Sequence, residues 1–216
     1  MNMKCLIAED HPLFRDAIKG LLTKAFPKIS ISEAQCLKSL QHAVEEDNDY
    51  DYVLLDLNIP GVYGFSGLLF LQGQLENTPI VVISANESPE IVQKACSYGA
   101  AAFIPKSSST DTIVDTITKI MNGEKIELPQ SVQSESQEEI EIYNNIKQLS
   151  PRQFEILLML TDGLLNKQIA SELNLSLSTV KCHISAIIKT LGVNTRTHAA
   201  LIAKKLDVSN KVELSE

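Results

Sequence analysis

The chain has 216 residues, 44% of them hydrophobic, and a formal net charge of −8 at pH 7. That apolar share supports packed cores and excludes wholesale disorder, while the acidity excludes a non-specific coat for nucleic acid. No apolar run reaches the ~18–20 residues of a membrane span, and Met-Asn-Met-Lys-Cys leads into a strand pattern without a signal peptide, so a cytoplasmic protein of two modest domains is expected.

The first apolar run, Met3 to Ala8, has the pattern of a buried strand and ends on Glu9 and Asp10. Further strands are expected at 29–34, 52–56, 79–84 and 101–105, with amphipathic helices at 12–26, 37–47, 65–75, 88–97 and 109–122. This alternation predicts a doubly wound, five-stranded parallel sheet covered by helices on both faces. The third strand, in Val53-Leu54-Leu55-Asp56-Leu57-Asn58-Ile59-Pro60-Gly61, ends on Asp56 before Pro60-Gly61 turns the chain away. Ligands of such sheets gather outside the carboxyl ends of the strands. Glu9, Asp10 and Asp56 at two such ends predict a shared acidic pocket, and three close carboxylates repel unless a hard cation sits among them. His11 precedes Pro12 and is expected to begin the first helix rather than to bind metal or phosphate. The cysteines, Cys5, Cys36, Cys96 and Cys182, are widely spaced and lack a C-x-x-C pair, as expected of free thiols.

The alternating pattern stops at Gly123. Residues 123–148 form a polar, acidic linker; its stretch Gln130-Ser-Val-Gln-Ser-Glu-Ser-Gln-Glu-Glu is followed by Ile140, Tyr143 and Ile146 at the spacing of a short amphipathic helix. From Leu149 every pattern is helical. Ser150-Pro151 is a helix start, and Phe154, Leu157, Leu158 and Leu160 supply an apolar face before Gly163. Asn166 is the expected cap of a second short helix, Asn174-Leu175-Ser176 a tight turn, 177–191 a third helix and 195–205 a fourth. Two helices joined by a short turn have the form of a helix-turn-helix. Residues 1–125 carry a net charge of −6, residues 126–148 carry −4 and residues 149–216 carry +2, so only the last segment favours a polyanion.

Residues 1–122 resemble the receiver domain of two-component response regulators, and residues 149–206 resemble the LuxR-type helix-turn-helix of the NarL/FixJ class. The second likeness rests on Leu-Ser-Pro-Arg-Gln at 149–153, Gly163-Leu-Leu-Asn-Lys-Gln-Ile-Ala-Ser-Glu-Leu, Ser176-Leu-Ser-Thr-Val-Lys-Cys-His and Leu191-Gly-Val-Asn-Thr-Arg. It implies a flavodoxin-like receiver at 1–122, a linker at 123–148 and an all-α four-helix DNA-binding domain at 149–216. The resemblance makes Asp56 the phosphoacceptor. Asp10, Asp56 and the carbonyl of Asn58 become ligands of Mg²⁺, with Glu9 acting through water. Ser84 and Phe103 become the switch hydroxyl and aromatic, and Lys106 the receiver lysine. On the third C-terminal helix, Lys181, Cys182 and Ser185 approach base edges, while Thr179, Lys167, Lys189 and Arg196 contact phosphates. Glu9 stands where many receivers have Asp. Ser107, where many have proline, follows Lys106, and a cis Lys106–Ser107 bond would cost ~3 kcal/mol more than trans.

The implied function is a DNA-binding transcriptional response regulator, not an enzyme. Its phosphodonor is a cognate histidine kinase or a small molecule, its partner is double-stranded DNA, and it forms a homodimer when phosphorylated. A phosphatase of the haloacid dehalogenase type would also use a nucleophilic aspartate, but that class resembles Asp-x-Asp and here the partner position is Asn58. A regulator that binds DNA without phosphorylation is opposed by the intact set of Glu9, Asp10, Asp56, Ser84 and Lys106.

Overall fold

The computed structural model describes residues 3–124, 126 and 137–206. Five strands and five helices alternate first: β1 (Met3–Ala8), α1 (Pro12–Ala25), β2 (Ile29–Ala34), α2 (Leu37–Glu46), β3 (Tyr52–Asp56), α3 (Ser66–Gln74), β4 (Ile80–Ser84), α4 (Pro89–Ser97), β5 (Ala102–Pro105) and α5 (Thr110–Met121). The strands form one sheet in the order β2-β1-β3-β4-β5, every pair parallel. This is the expected doubly wound sheet, and the strand order reverses at β1 and β3. Every residue of β3 and β4 is buried, as continuous apolar strands require when both faces are covered.

Alternation along each strand divides the core. Cys5, Ile7, Tyr52, Leu54, Val81, Ile83, Ala102 and Ile104 share one face and pack with Ile18 and Leu22 of α1 and Ile113 and Ile117 of α5. Register then sets the functional end of the sheet: Ala8 stands beside Leu55, Asp56 beside Ile83, and Ser84 beside Pro105. The acids after β1, the last residue of β3, the last of β4 and Lys106 after β5 thereby converge on one edge.

The remaining helices are α6 (Gln137–Lys147), α7 (Pro151–Thr161), α8 (Asn166–Glu172), α9 (Leu177–Thr190) and α10 (Arg196–Lys205). The helix expected around Ile140, Tyr143 and Ile146 is α6, with Ile146 buried and Ile140 exposed. Residues 125 and 127–136 of the expected linker lie outside the described residues. Ser150 caps α7 in a reciprocal box with Gln153. One cap differs from expectation: Leu165, not Asn166, occupies the N-cap of α8, because the Gln168 side chain accepts the Leu165 N–H at 2.7 Å and leaves Asn166 inside the first turn.

The chain forms two compact units. Tyr63–Gly73, expected within the first domain, groups with the helices from α6 onward rather than with the sheet. The reason is composition. Ser66–Leu71 are all buried, as suits a helix that is apolar on every side. Within this second unit Phe70 stacks on Phe154 with ring centroids 4.8 Å apart, and the Tyr63 hydroxyl donates to Asp162. Gly73 allows the backbones to meet: a Cβ there would lie 1.9 Å from the carbonyl oxygen of Lys147. Gly73→Ala is expected to destabilise this unit by roughly 1–3 kcal/mol through overpacking, read as a lower urea midpoint without a changed slope.

Candidate functional site

β1 delivers Glu9 into the interior. The Glu9 N–H donates to the Ala34 carbonyl at 2.9 Å, continuing the β1–β2 ladder by one residue, and its side chain is 3% exposed. Asp56 closes β3 and is equally buried. Lys106 leaves β5 with its N–H donating to the Ser84 carbonyl at 2.8 Å. Its ammonium then bridges both acids, 2.8 Å from Glu9 Oε2 and 2.9 Å from Asp56 Oδ2. Burial alone would lower the Lys106 pKa; hydrogen bonds donated to Glu9 and Asp56 and the attraction of both charges outweigh it and hold the group above the ordinary lysine value. The ammonium also sits 4.9 Å above the Phe14 ring. No peptide among the described residues is cis, so the Lys106–Ser107 bond is trans.

Asp10 lies closer to solvent. Its carboxylate meets no lysine or arginine side chain among the described residues, and Oδ1 faces His11 Nδ1 at 3.2 Å. Ligand atoms of Glu9, Asp10 and His11 lie within 4.8 Å of one another, and Asp56 stands outside that group. His11 therefore begins α1, as expected, yet also joins the acids. Asn58 folds back toward Asp56, donating its N–H to Oδ1 at 3.3 Å. The carboxylates of Glu9, Asp10 and Asp56 are hard-oxygen donors of the kind Mg²⁺ takes, so the residues present fit that ion.

Ser84 is 1% exposed at the end of β4. Its Oγ accepts the Asn86 N–H at 3.2 Å, and Asn86 Oδ1 accepts the Ser88 N–H, so the hydroxyl shapes the turn into α4. Phe103 is half-buried in β5, beside Val82 and on the opposite sheet face from Ile104.

The second site candidate is helical. α8, a turn with Asn174 at φ 54°, and α9 form the helix-turn-helix. Val180, Ile184 and Ile187 anchor α9 inward, while Lys181, Cys182, Ser185 and Lys189 lie exposed on its other side. Lys167 is exposed on α8. Thr179 sits in the first turn of α9, its hydroxyl 2.7 Å from that of the Ser176 cap. Arg196 is engaged within the fold: Nη1 donates to Asn166 Oδ1 at 2.8 Å and Nη2 to the Leu164 carbonyl at 2.7 Å. These two bonds join α10 to the start of α8 and use two of the guanidinium's five N–H donors.

Sequence reasoning overlooked Phe14 and Arg15. A signal was present for the second. Arg15, Ile18 and Leu22 recur at the spacing of one helix face, and an arginine on a buried stripe demands partners. Arg15 is indeed buried with Ile18 and Leu22.

Residues 5–118 match the response regulator receiver domain, and residues 147–203 match the bacterial regulatory proteins of the luxR family. A glycerol metabolism activator from Pseudomonas putida is 37% identical over 213 residues, covering 94% of this chain and 96% of that protein. The nitrate/nitrite response regulator protein NarL of Escherichia coli is 30% identical over 200 residues, covering 91% and 92%. Among solved structures, RcsB from Salmonella enterica serovar Typhimurium, bound to a promoter in the presence of the phosphomimetic BeF3−, aligns with a TM-score of 0.55 at 23% identity over 95% of this chain and 100% of that one.

Removing the bridging cation leaves two buried carboxylates facing each other. Lys106→Met is expected to lower stability by about 3–5 kcal/mol. Adding Glu9→Gln to that variant should restore part of the loss, as measured by urea denaturation of the single and double variants.

Proposed function

The chain belongs to the two-component response regulators that join a receiver to a LuxR-type helix-turn-helix, and we propose that its control of transcription is switched by phosphorylation of Asp56. It is a DNA-binding transcriptional regulator and not an enzyme. The observation that carries the proposal is the bridge from Lys106 to both Glu9 and Asp56 at the carboxyl edge of the sheet. A carboxylate is a weak nucleophile, so reaction depends on orientation and charge neutralisation. Asp56 has both: Oδ2 is held by Lys106 and Oδ1 by the Asn58 N–H. One carboxylate oxygen bonds to phosphorus, and the donor's leaving group departs with the electron pair of the broken bond. Glu9, Asp10, Asp56 and the Asn58 carbonyl would hold Mg²⁺, which when bound supplies positive charge against the phosphoryl oxygens. Lys106 supplies the same sign of charge from its bridge between Glu9 and Asp56.

Ser84 and Phe103 form the switch in this reading. The new phosphoryl oxygens draw the Ser84 hydroxyl, and Phe103, half-buried on the neighbouring strand, moves with it. The phosphodonor is a histidine kinase or a small phosphodonor. The family matches at 5–118 and 147–203 support domain limits of 1–122 and 149–216 around a linker at 123–148. No helix among the described residues is long and apolar enough to cross a membrane, and action on DNA supports the reading of a cytoplasmic protein.

On DNA, Lys181, Cys182 and Ser185 approach base edges in the major groove, while Lys167, Lys189 and Thr179 contact phosphates. Arg196 maintains the helix arrangement. Residues 149–216 carry a net charge of only +2, so a single module attracts a polyanion weakly and a phosphorylated homodimer is the binding form. RcsB, to which this chain is structurally similar, is solved bound to a promoter, which supports DNA as the partner.

Asp56→Asn should abolish acid-stable, base-labile label from a small phosphodonor while leaving the melting transition in place; undiminished labelling would exclude Asp56 as acceptor. For DNA, Lys181→Ala should cost about 1–3 kcal/mol at the cognate site. Lys167→Ala should weaken binding to all sequences and lower the salt slope by roughly 1. A salt titration on specific and non-specific duplexes separates the two patterns, and unchanged affinity and slope for both variants would remove α8 and α9 from the interface.

A further inference from the structure

We propose that Arg15 is a positioning residue for the Asp10 carboxylate and thereby sets the affinity of the acidic pocket for Mg²⁺. The inference rests on the reading of that pocket as a cation site. Arg15 lies in the first turn of α1 and is 8% exposed. Its Nη1 donates to the carbonyl oxygen of Glu9 at 2.9 Å and to that of Asp10 at 3.3 Å. These two carbonyls belong to the peptide units on either side of the Asp10 Cα. One nitrogen thus pins both planes that set the Asp10 backbone, from which its carboxylate projects. On the far side the Glu9 N–H is tied to Ala34, so the loop is held from β2 as well.

The guanidinium is itself fixed. Its Nε donates to Glu33 Oε2 at 3.0 Å, and Lys19, one turn along α1, holds the other oxygen of Glu33 at 2.5 Å. A buried cation without such a partner would be costly. The planar fork reaches Glu33 and two carbonyls at once; a lysine ammonium at the end of a flexible stem does not reproduce that geometry. Arg15 donates to none of the three carboxylates of the pocket and acts only through the loop. Partners that orient metal ligands in this way typically govern affinity by 10–100-fold.

The test uses the full chain with Arg15→Lys and, as a milder second variant, Glu33→Gln, which keeps Arg15 but removes the charge that orients it. MgCl₂ is titrated by calorimetry, thermal melting is followed without Mg²⁺, and phosphorylation by a small phosphodonor is measured at limiting and saturating Mg²⁺. The expected result is a dissociation constant raised roughly 10–100-fold in Arg15→Lys and less in Glu33→Gln, with the phosphorylation deficit closing at saturating Mg²⁺. A merely structural role would lower the melting temperature and leave the dissociation constant unmoved. Wild-type affinity in the folded variants would overturn the proposal, and if Arg15→Lys does not fold, Glu33→Gln decides alone. A wild-type protein that binds no Mg²⁺ would remove the cation reading and this proposal together; wild-type binding with unchanged variants would remove this proposal only.

Discussion

The pocket depends on one ammonium. Glu9 and Asp56 are both about 3% exposed, and two buried carboxylates at the same sheet edge repel each other in a medium that screens poorly. Lys106 makes their proximity possible, and it is well suited to do so. Its backbone is anchored to the Ser84 carbonyl, and its ammonium sits over the Phe14 ring and between the acids. The rest of the architecture sets the distances this bridge requires. Parallel register places the ends of β1, β3, β4 and β5 together, and the apolar layer shared by α1 and α5 fixes the sheet beneath them. The same arrangement suits the cation-binding role proposed for the pocket. The Asp10 carboxylate faces the His11 ring and meets no lysine or arginine side chain among the described residues, so the local charge balance is set by lysine on one side and left open on the other.

Much of this was legible in the residues. Apolar runs ending on Glu9-Asp10 and on Asp56 announce strands whose ends carry chemistry, and alternation with amphipathic stretches announces a parallel sheet. Period and punctuation are local signals, which is why each strand and helix falls within one residue of its expected limits. What stayed hidden depends on contacts between distant segments. The commitment of Arg196 to Asn166 and Leu164 spans 30 and 32 positions, and no local pattern distinguishes a solvated arginine from one that braces a helix start. The cap of α8 was missed for a similar reason. Asn166 is the residue type that caps helices, but Gln168 reaches back to Leu165 and takes that role. The grouping of Tyr63–Gly73 with the C-terminal helices is encoded in the all-round apolarity of α3, a composition that predicts burial without naming what does the burying.

Arginine is used internally at two places in this chain, and in both it serves backbone carbonyls. Arg15 holds the peptides flanking Asp10, and Arg196 holds the peptide of Leu164. Each carbonyl lies in a connection just before or after a regular element, where no ladder or helical bond is available to satisfy it. A forked, permanently charged donor meets that need better than a hydroxyl or an ammonium. The exposed face of α9 is different. There Lys181 and Lys189 stand exposed beside Cys182 and Ser185, and in the proposed interface flexible point charges suit a surface that slides over phosphates before it settles.

The separation of the bridging partners along the chain has a consequence in time. Lys106 lies 97 residues after Glu9 and 50 after Asp56. At a synthesis rate of roughly 5–20 residues per second, Asp56 leaves the ribosome about 3–10 seconds before its counter-charge does. β4, the strand that pairs with its open side, follows only partway through that interval and β5 only at its end, so the carboxylate waits without its cation. A nascent chain therefore presents an aspartate without the means to orient it, and only the finished sheet is able to receive a signal.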